Sequence, residues 1–280
     1  MMIHRLFAAG AVALAFSAQP GMASAEQKPL WEFGLGVGGV SFPAYPGSDE
    51  QRNYAVPVPY VVYRGEIIKA DRNGVQARLF DTDRVESYLS LSASPPVNSS
   101  SNGARSGMPD LKPMVEFGPA LEVHLWQSAE QRMQLDFRMP LRTAFTVQTH
   151  PHQVGWVLAP VLNLDIGNVS GLPGWKLGMQ TGPVFADRQY NQTFYGVDSV
   201  YANAARPAYA AHGGYSGSQF TLGLSKRFPN LWFGAFARYD NLSGAVFADS
   251  PLMRRKQTVS FGFGIAWILG QSSRMVDRHE

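Results

Sequence analysis

Residues 257–269 constrain this chain more than any other stretch. Val259, Phe261, Phe263, Ile265, Trp267 and Leu269 occupy every second position, and Ser260, Gly262, Gly264, Ala266 and Ile268 lie between them. Side chains of a β-strand alternate between faces, so the segment reads as a strand with one large apolar face and one face of mostly small groups. A half-exposed strand of a soluble sheet carries polar groups on its outer face. Aromatics on one side backed by Gly and Ala on the other suit a membrane barrel, whose outer solvent is lipid.

The N-terminus agrees with export. A basic start, Met1–Arg5, precedes an apolar run from Leu6 to Ala18, and Ala23-Ser24-Ala25 supplies small residues at a cleavage site. This is the pattern of a secretory signal, and the run is too short for a helix that crosses a bilayer, which needs about 20 residues. The expected organisation is a signal peptide at 1–25, a barrel at 26–269 and a disordered tail at 270–280. The chain contains no cysteine, which excludes disulfides, thiolate metal sites and cysteine nucleophiles. A net charge of +3 implies no nucleic-acid partner.

Further strands alternate along the chain with turn chemistry between them. Residues 30–41 set Trp31, Phe33, Leu35 and Val37 against Gly34, Gly36 and Gly38. Residues 53–63 are extended, although Pro57 and Pro59 remove ladder donors. Asn73-Gly74 is a hairpin signal inside 66–80, and splitting that segment gives an even count. Strands at 85–93, 115–125, 133–142, 156–165, 175–185, 219–227 and 231–241 bring the total to twelve with the last. Residues 94–112 read as a long mobile loop and 186–217 as the longest irregular stretch, with no sustained helical spacing anywhere. The fold expected is therefore all-β: a transmembrane antiparallel up-and-down β-barrel of 12 strands. Its long loops (42–52, 94–112, 145–153, 186–217 and 242–256) would be extracellular, and its short turns (64–65, 81–84, 127–131, 167–173 and 228–230) periplasmic.

With apolar faces toward lipid, the lumen-facing polar set includes Glu116, Glu122, His124, Asp136, Arg138, Arg142, Asp165, Lys176, Arg238 and Asp240. Both signs are mixed, unlike the single-sign excess of a selective pore. The Gly-faced first and last strands predict a narrow seam free of charge. Catalysis is not expected: His124, His150, His152 and His212 are scattered, and no serine sits in a nucleophile motif near them. His150 and His152 lack carboxylate neighbours for a metal, and Gly34-Leu-Gly36-Val-Gly38-Gly39 lacks the lysine and helix of a phosphate loop. No cofactor or metal is expected. The aromatic-rich stretch 186–217 offers contact residues for a surface adhesin, or alternatively folds into the barrel mouth as a plug.

Several motifs resemble one family. Ala44-Tyr45-Pro46-Gly47-Ser48-Asp49, Pro57-Val-Pro59-Tyr60 and Tyr63-Arg64-Gly65 are similar to the N-terminal signature of the MipA/OmpV outer-membrane proteins. Ser106–Leu111, Glu116-Phe-Gly118-Pro119, Tyr195-Gly196-Val197, Pro207-Ala208-Tyr209, Gly213-Gly214 and Ala248-Asp249-Ser250-Pro251-Leu252 follow in the family's order. The resemblance implies a barrel in outer-membrane lipid that acts as a scaffold, joining a murein lytic transglycosylase to a peptidoglycan synthase. It supplies no catalytic residues. A porin-like channel or a surface adhesin or antigen are the alternatives.

Overall fold

A computed structural model describes residues 27–277, apart from 65–67, 72–73, 83, 131 and 170. The expected signal peptide lies outside the described residues. The strands are β1 (Gln27–Pro29), β2 (Trp31–Pro43), β3 (Gln51–Arg64), β4 (Ile68–Asp71), β5 (Gly74–Asp81), β6 (Val85–Ser94), β7 (Met114–Gln127), β8 (Met133–Thr146), β9 (Gln153–Leu158), β10 (Val161–Gly167), β11 (Trp175–Ala186), β12 (Gly214–Arg227), β13 (Leu231–Asn241), β14 (Gln257–Gln271) and β15 (Met275–Asp277). Among the described residues one α-helix, α1, spans Arg188–Tyr195.

From β2 to β8 each strand pairs antiparallel with its neighbour in sequence. Strands β9 and β10 both lie between β8 and β11, interrupted at Ala159-Pro160, because proline cannot continue the ladder. Strands β11 to β14 continue the sheet, and β14 pairs with β2 from Phe261↔Ser41 to Gln271↔Glu32. The pairings thus return to their start: twelve strands if the interrupted one counts once, thirteen if its halves are separate. The side-chain alternation is that of a barrel in lipid. Phe261, Phe263, Trp267 and Leu269 are 53–64% exposed, whereas Ser260 and Ala266 on the opposite face are buried. Apolar groups left outward in water would be costly; in hydrocarbon they form the transmembrane belt.

Within the stretch 66–80, ambiguous in sequence, β4 and β5 pair antiparallel from Ile68↔Ala77 to Asp71↔Gly74 rather than forming one strand. With four residues, β4 is well short of the roughly nine a tilted spanning strand needs, and it meets β3 at only Tyr63 and Arg64. Among the described residues, β3 from Gln51 to Val62 therefore pairs with β2 alone, leaving a notch in the wall. That places Pro57 and Pro59 on a strand with a free edge, where a missing N–H costs no ladder bond.

Other departures have equally local causes. The tail expected to be disordered continues β14 to Gln271, and β15 then pairs with β1 from Gln27↔Asp277 to Pro29↔Met275, forming a small ribbon on the periplasmic side. Residues 278–280 lie outside the described residues. Residues 94–112 are not the mobile loop expected: Val97 and Leu111 exchange backbone hydrogen bonds, and Ser99, Asn102 and Arg105 are buried. Helix α1, too short to show helical spacing in the sequence, is capped by Asp187, whose side chain accepts a hydrogen bond from the Tyr190 amide at 2.8 Å.

Candidate functional site: a plugged, charge-lined barrel

The long segments at the extracellular end fold inward and share an apolar core. Tyr45, Val97, Leu111, Phe194, Tyr195 and Phe247 belong to this buried cluster, so four separate loops contribute to it. Tyr195 stacks on Phe247 with ring centroids 3.6 Å apart and planes 9° from parallel, and meets Tyr45 edge-on at 6.3 Å. The polar tips of these rings are also satisfied, as buried hydroxyls require: Tyr45 donates to Leu252 O at 2.8 Å and Tyr195 to Pro46 O at 2.9 Å.

The family-motif residues build this plug. Ser48 Oγ accepts from the Glu50 amide and from Asn102 Nδ2, both at 3.2 Å. Ser250 Oγ donates to Tyr195 O at 2.7 Å and accepts from the Leu252 amide at 3.2 Å. Gly47 has φ +91°, a backbone conformation that favours glycine; its carbonyl receives the Arg254 and Arg255 amides. Asp49 pairs with Arg254 at 3.7 Å, Asp249 is exposed, and Pro251 is half-buried. Sequence reading missed Arg105, which is buried and donates to Phe194 O, Pro109 O and Ser99 Oγ. A lone arginine in a Ser/Asn/Gly-rich stretch carries no periodic signal. Of the two readings of 186–217, an adhesin surface or a plug, Phe194 and Tyr195 follow the second, lying in the buried cluster with Tyr190 packed against it.

Burial raises the phenol of Tyr45 to about 12, and those of Tyr190 and Tyr195 well above 10.0. A raised pKa means that the folded plug holds these protons more tightly than the unfolded loops do. Their stabilisation is complete below pH 10 and is lost as pH rises through the folded values. We expect the plug to open in alkali, seen as proteolytic sensitivity of residues 187–213 rising with late tyrosinate absorbance. Tyr195→Phe should remove part of that late signal; an unchanged titration would contradict the assignment.

Below the plug, charged side chains line the inner face in pairs. Glu116 accepts from Arg142 Nε at 3.1 Å and from Tyr190 Oη at 2.8 Å, tying the wall to α1. Arg138 meets Glu122 at 3.0 Å, and His124 Nδ1 lies 2.8 Å from Asp136 Oδ1. Arg238 pairs with Asp240 at 3.1 Å. Asp165 accepts from Asn163 Nδ2 at 3.0 Å, and half-buried Lys176 stands on neighbouring β11. The structure thus gathers Glu122, His124, Asp136 and Arg138 into one group and leaves Glu116–Arg142 and Arg238–Asp240 as separate pairs.

The seam is not free of charge, contrary to the sequence expectation. Glu32 on β2 is buried at the periplasmic end. It pairs with Arg64 at 3.1 Å and Arg227 at 2.9 Å, and accepts from Tyr60 Oη at 3.1 Å. Two guanidiniums compensate one carboxylate, which makes its burial tolerable. Its position between Trp31 and Phe33 in the alternation was the signal that could have found it. Glu86, near His124, was also missed: its strand was recognised but its partner was not.

A family model described as MltA-interacting protein MipA matches residues 35–269. No curated protein matches the sequence. Among solved structures, the chain resembles a "Bacterial polysaccharide outer membrane secretin" at 9% identity and TM-score 0.44, covering 85% of this chain and 99% of that one. It resembles the outer-membrane phospholipase A from Escherichia coli at 12% identity and TM-score 0.33, covering 86% and 94%. A third likeness is to the outer-membrane channel DcaP of Acinetobacter baumannii, at 9% identity and TM-score 0.35, covering 89% and 99%.

Proposed function

The chain belongs to the MltA-interacting protein MipA family, and on that premise we propose that it is a non-enzymatic adaptor of the outer membrane. In this role it links a murein lytic transglycosylase with peptidoglycan synthesis machinery. The observation that carries the proposal is the filled mouth: loops from four parts of the chain form a dry core where a solute would enter. Lumen charges are engaged with one another rather than arrayed by sign, which disfavours a selective conduit. The periplasmic rim remains available. It presents the β1–β15 ribbon, with Arg274 and Met275 exposed, beside the turns that follow β5, β7, β10 and β12.

Crosslinked pull-down from cell envelopes tests this. The intact chain should recover a lytic transglycosylase and a synthase. A chain ending at Ser272 keeps β14 and its bond from the Ser272 amide to Trp31 O but removes β15. Recovery from that truncation should fall at least tenfold while barrel yield, read by heat-modifiable migration, holds. Undiminished recovery, with the turns after β5 and β10 also substituted, would remove the periplasmic rim as the contact.

A further inference from the structure

The His124 group has the composition of a cation site. His124 Nδ1 is 2.8 Å from Asp136 Oδ1, and Nε2 is 3.4 Å from Glu86 Oε1, so both ring nitrogens face carboxylates. Glu122, His124 and Asp136 each offer a ligand atom, all within 4.8 Å of one another. Gln134 Nε2 closes the other side, 3.0 Å from Asp136 Oδ1 and 3.3 Å from His124 Nδ1.

A second, independent observation separates this group from an ordinary ion-pair network. Asp136 is 1% exposed, and its Oδ2 is buried without a hydrogen-bond partner. Arg138 Nη2 is 3.9 Å from that oxygen, too far for a hydrogen bond, and is engaged with Glu122 Oε1 at 3.0 Å. An orphaned carboxylate oxygen in a buried site costs free energy that a cation would recover.

Glu122 and Asp136 each offer a carboxylate oxygen, and His124 a ring nitrogen that must be deprotonated to bind a metal. The donor set of one imidazole nitrogen with carboxylate oxygens favours a first-row ion such as zinc over magnesium or calcium, which take oxygen alone. Tetrahedral zinc with bonds of about 2.0–2.2 Å would enter between His124 Nδ1 and Asp136 Oδ1, parting their 2.8 Å contact, with the Glu122 carboxylate as the third ligand. Access is from the periplasm. His124 lies three residues before the end of β7 and Asp136 three after the start of β8, at the short-turn rim, and the His124 and Glu86 side chains are 28% and 15% exposed.

We propose that Glu122, His124 and Asp136, with Glu86 beside them, form a zinc-class divalent cation site at the periplasmic end of the lumen. Tag-free full-length protein in detergent, stripped with chelator, should take up one zinc per chain by calorimetry and elemental analysis. Magnesium at the same concentration should not compete. Cobalt loaded in its place should give the visible spectrum of a nitrogen-ligated ion. His124→Gln and Asp136→Asn should each weaken zinc at least tenfold, and His150→Ala with His152→Ala should change nothing. If Asp136→Asn fails to fold, His124→Gln and the cobalt spectrum decide. No stoichiometric uptake, or uptake lost only in the His150/His152 variant, would overturn the site.

Discussion

Phe247→Ala should unseat the plug while leaving the barrel standing. Phe247 is 1% exposed and lies flat on Tyr195. Its removal deletes the central contact between the loop before β14 and helix α1. Truncating a buried phenylalanine costs about 3–5 kcal/mol, and each 1.4 kcal/mol is about a tenfold change in an equilibrium. The open population of the outer loops should therefore rise on the order of a hundredfold or more. The plug core is drawn mainly from the loops and the outermost strand residues, so the ladders from β11 to β14 and on to β2 do not depend on it. Limited proteolysis should cut residues 187–213 rapidly in the variant, while heat-modifiable migration of the barrel is retained. Equal protection in both proteins would mean that the loops are held by something else. Simultaneous loss of the barrel would mean that plug and wall are one folding unit.

The opposite phenotype is expected from Gly36→Val, with the barrel itself failing. Gly36 sits at the β2–β14 seam opposite Ala266. A Cβ built on it meets the carbonyl of Ile265 and the Cα of Ala266, both backbone atoms that cannot turn aside. Overpacking of this kind costs about 1–3 kcal/mol even where side chains can adjust, and here the obstruction is the backbone of the closing strand. The variant should not accumulate as a heat-modifiable barrel in the outer membrane. Gly39→Ala is the control. Its added Cβ would meet only the ring of Phe263 at 3.2 Å, a flexible lipid-side neighbour, and assembly should be near normal. Normal assembly of Gly36→Val would show that the seam is looser than the pairing register implies.

These two variants also mark what was legible in the sequence. The seam could be read because its information is periodic. Glycine at 34, 36 and 38 faces one way and Phe33, Leu35 and Val37 the other, so strand, face and lipid contact follow from a two-residue repeat. The plug could not be read in that way. Arg105, Asn102 and Ser250 each make one hydrogen bond to a backbone atom or side chain far along the chain, such as Arg105 to Phe194 O across 89 residues. No local pattern encodes such contacts, and a Ser/Asn/Gly-rich composition points toward mobility instead. The lumen lies between these cases. Alternation lists which charged residues share a face, but not that Glu86 reaches His124 across 38 residues or that Glu32 is held between Arg64 and Arg227. Register decides that, and register depends on turns and bulges, such as those between His124 and Trp126 and between Ile268 and Gly270.

Planar-bilayer recording on the wild-type protein tests most directly whether this barrel is an adaptor with a sealed lumen or a conduit. A mouth filled by Tyr45, Phe194, Tyr195 and Phe247, above a lumen of paired charges, predicts no steady conductance above the bare membrane at neutral pH. Stable ohmic steps from the wild-type protein under those conditions would contradict the sealed barrel and make solute passage its function.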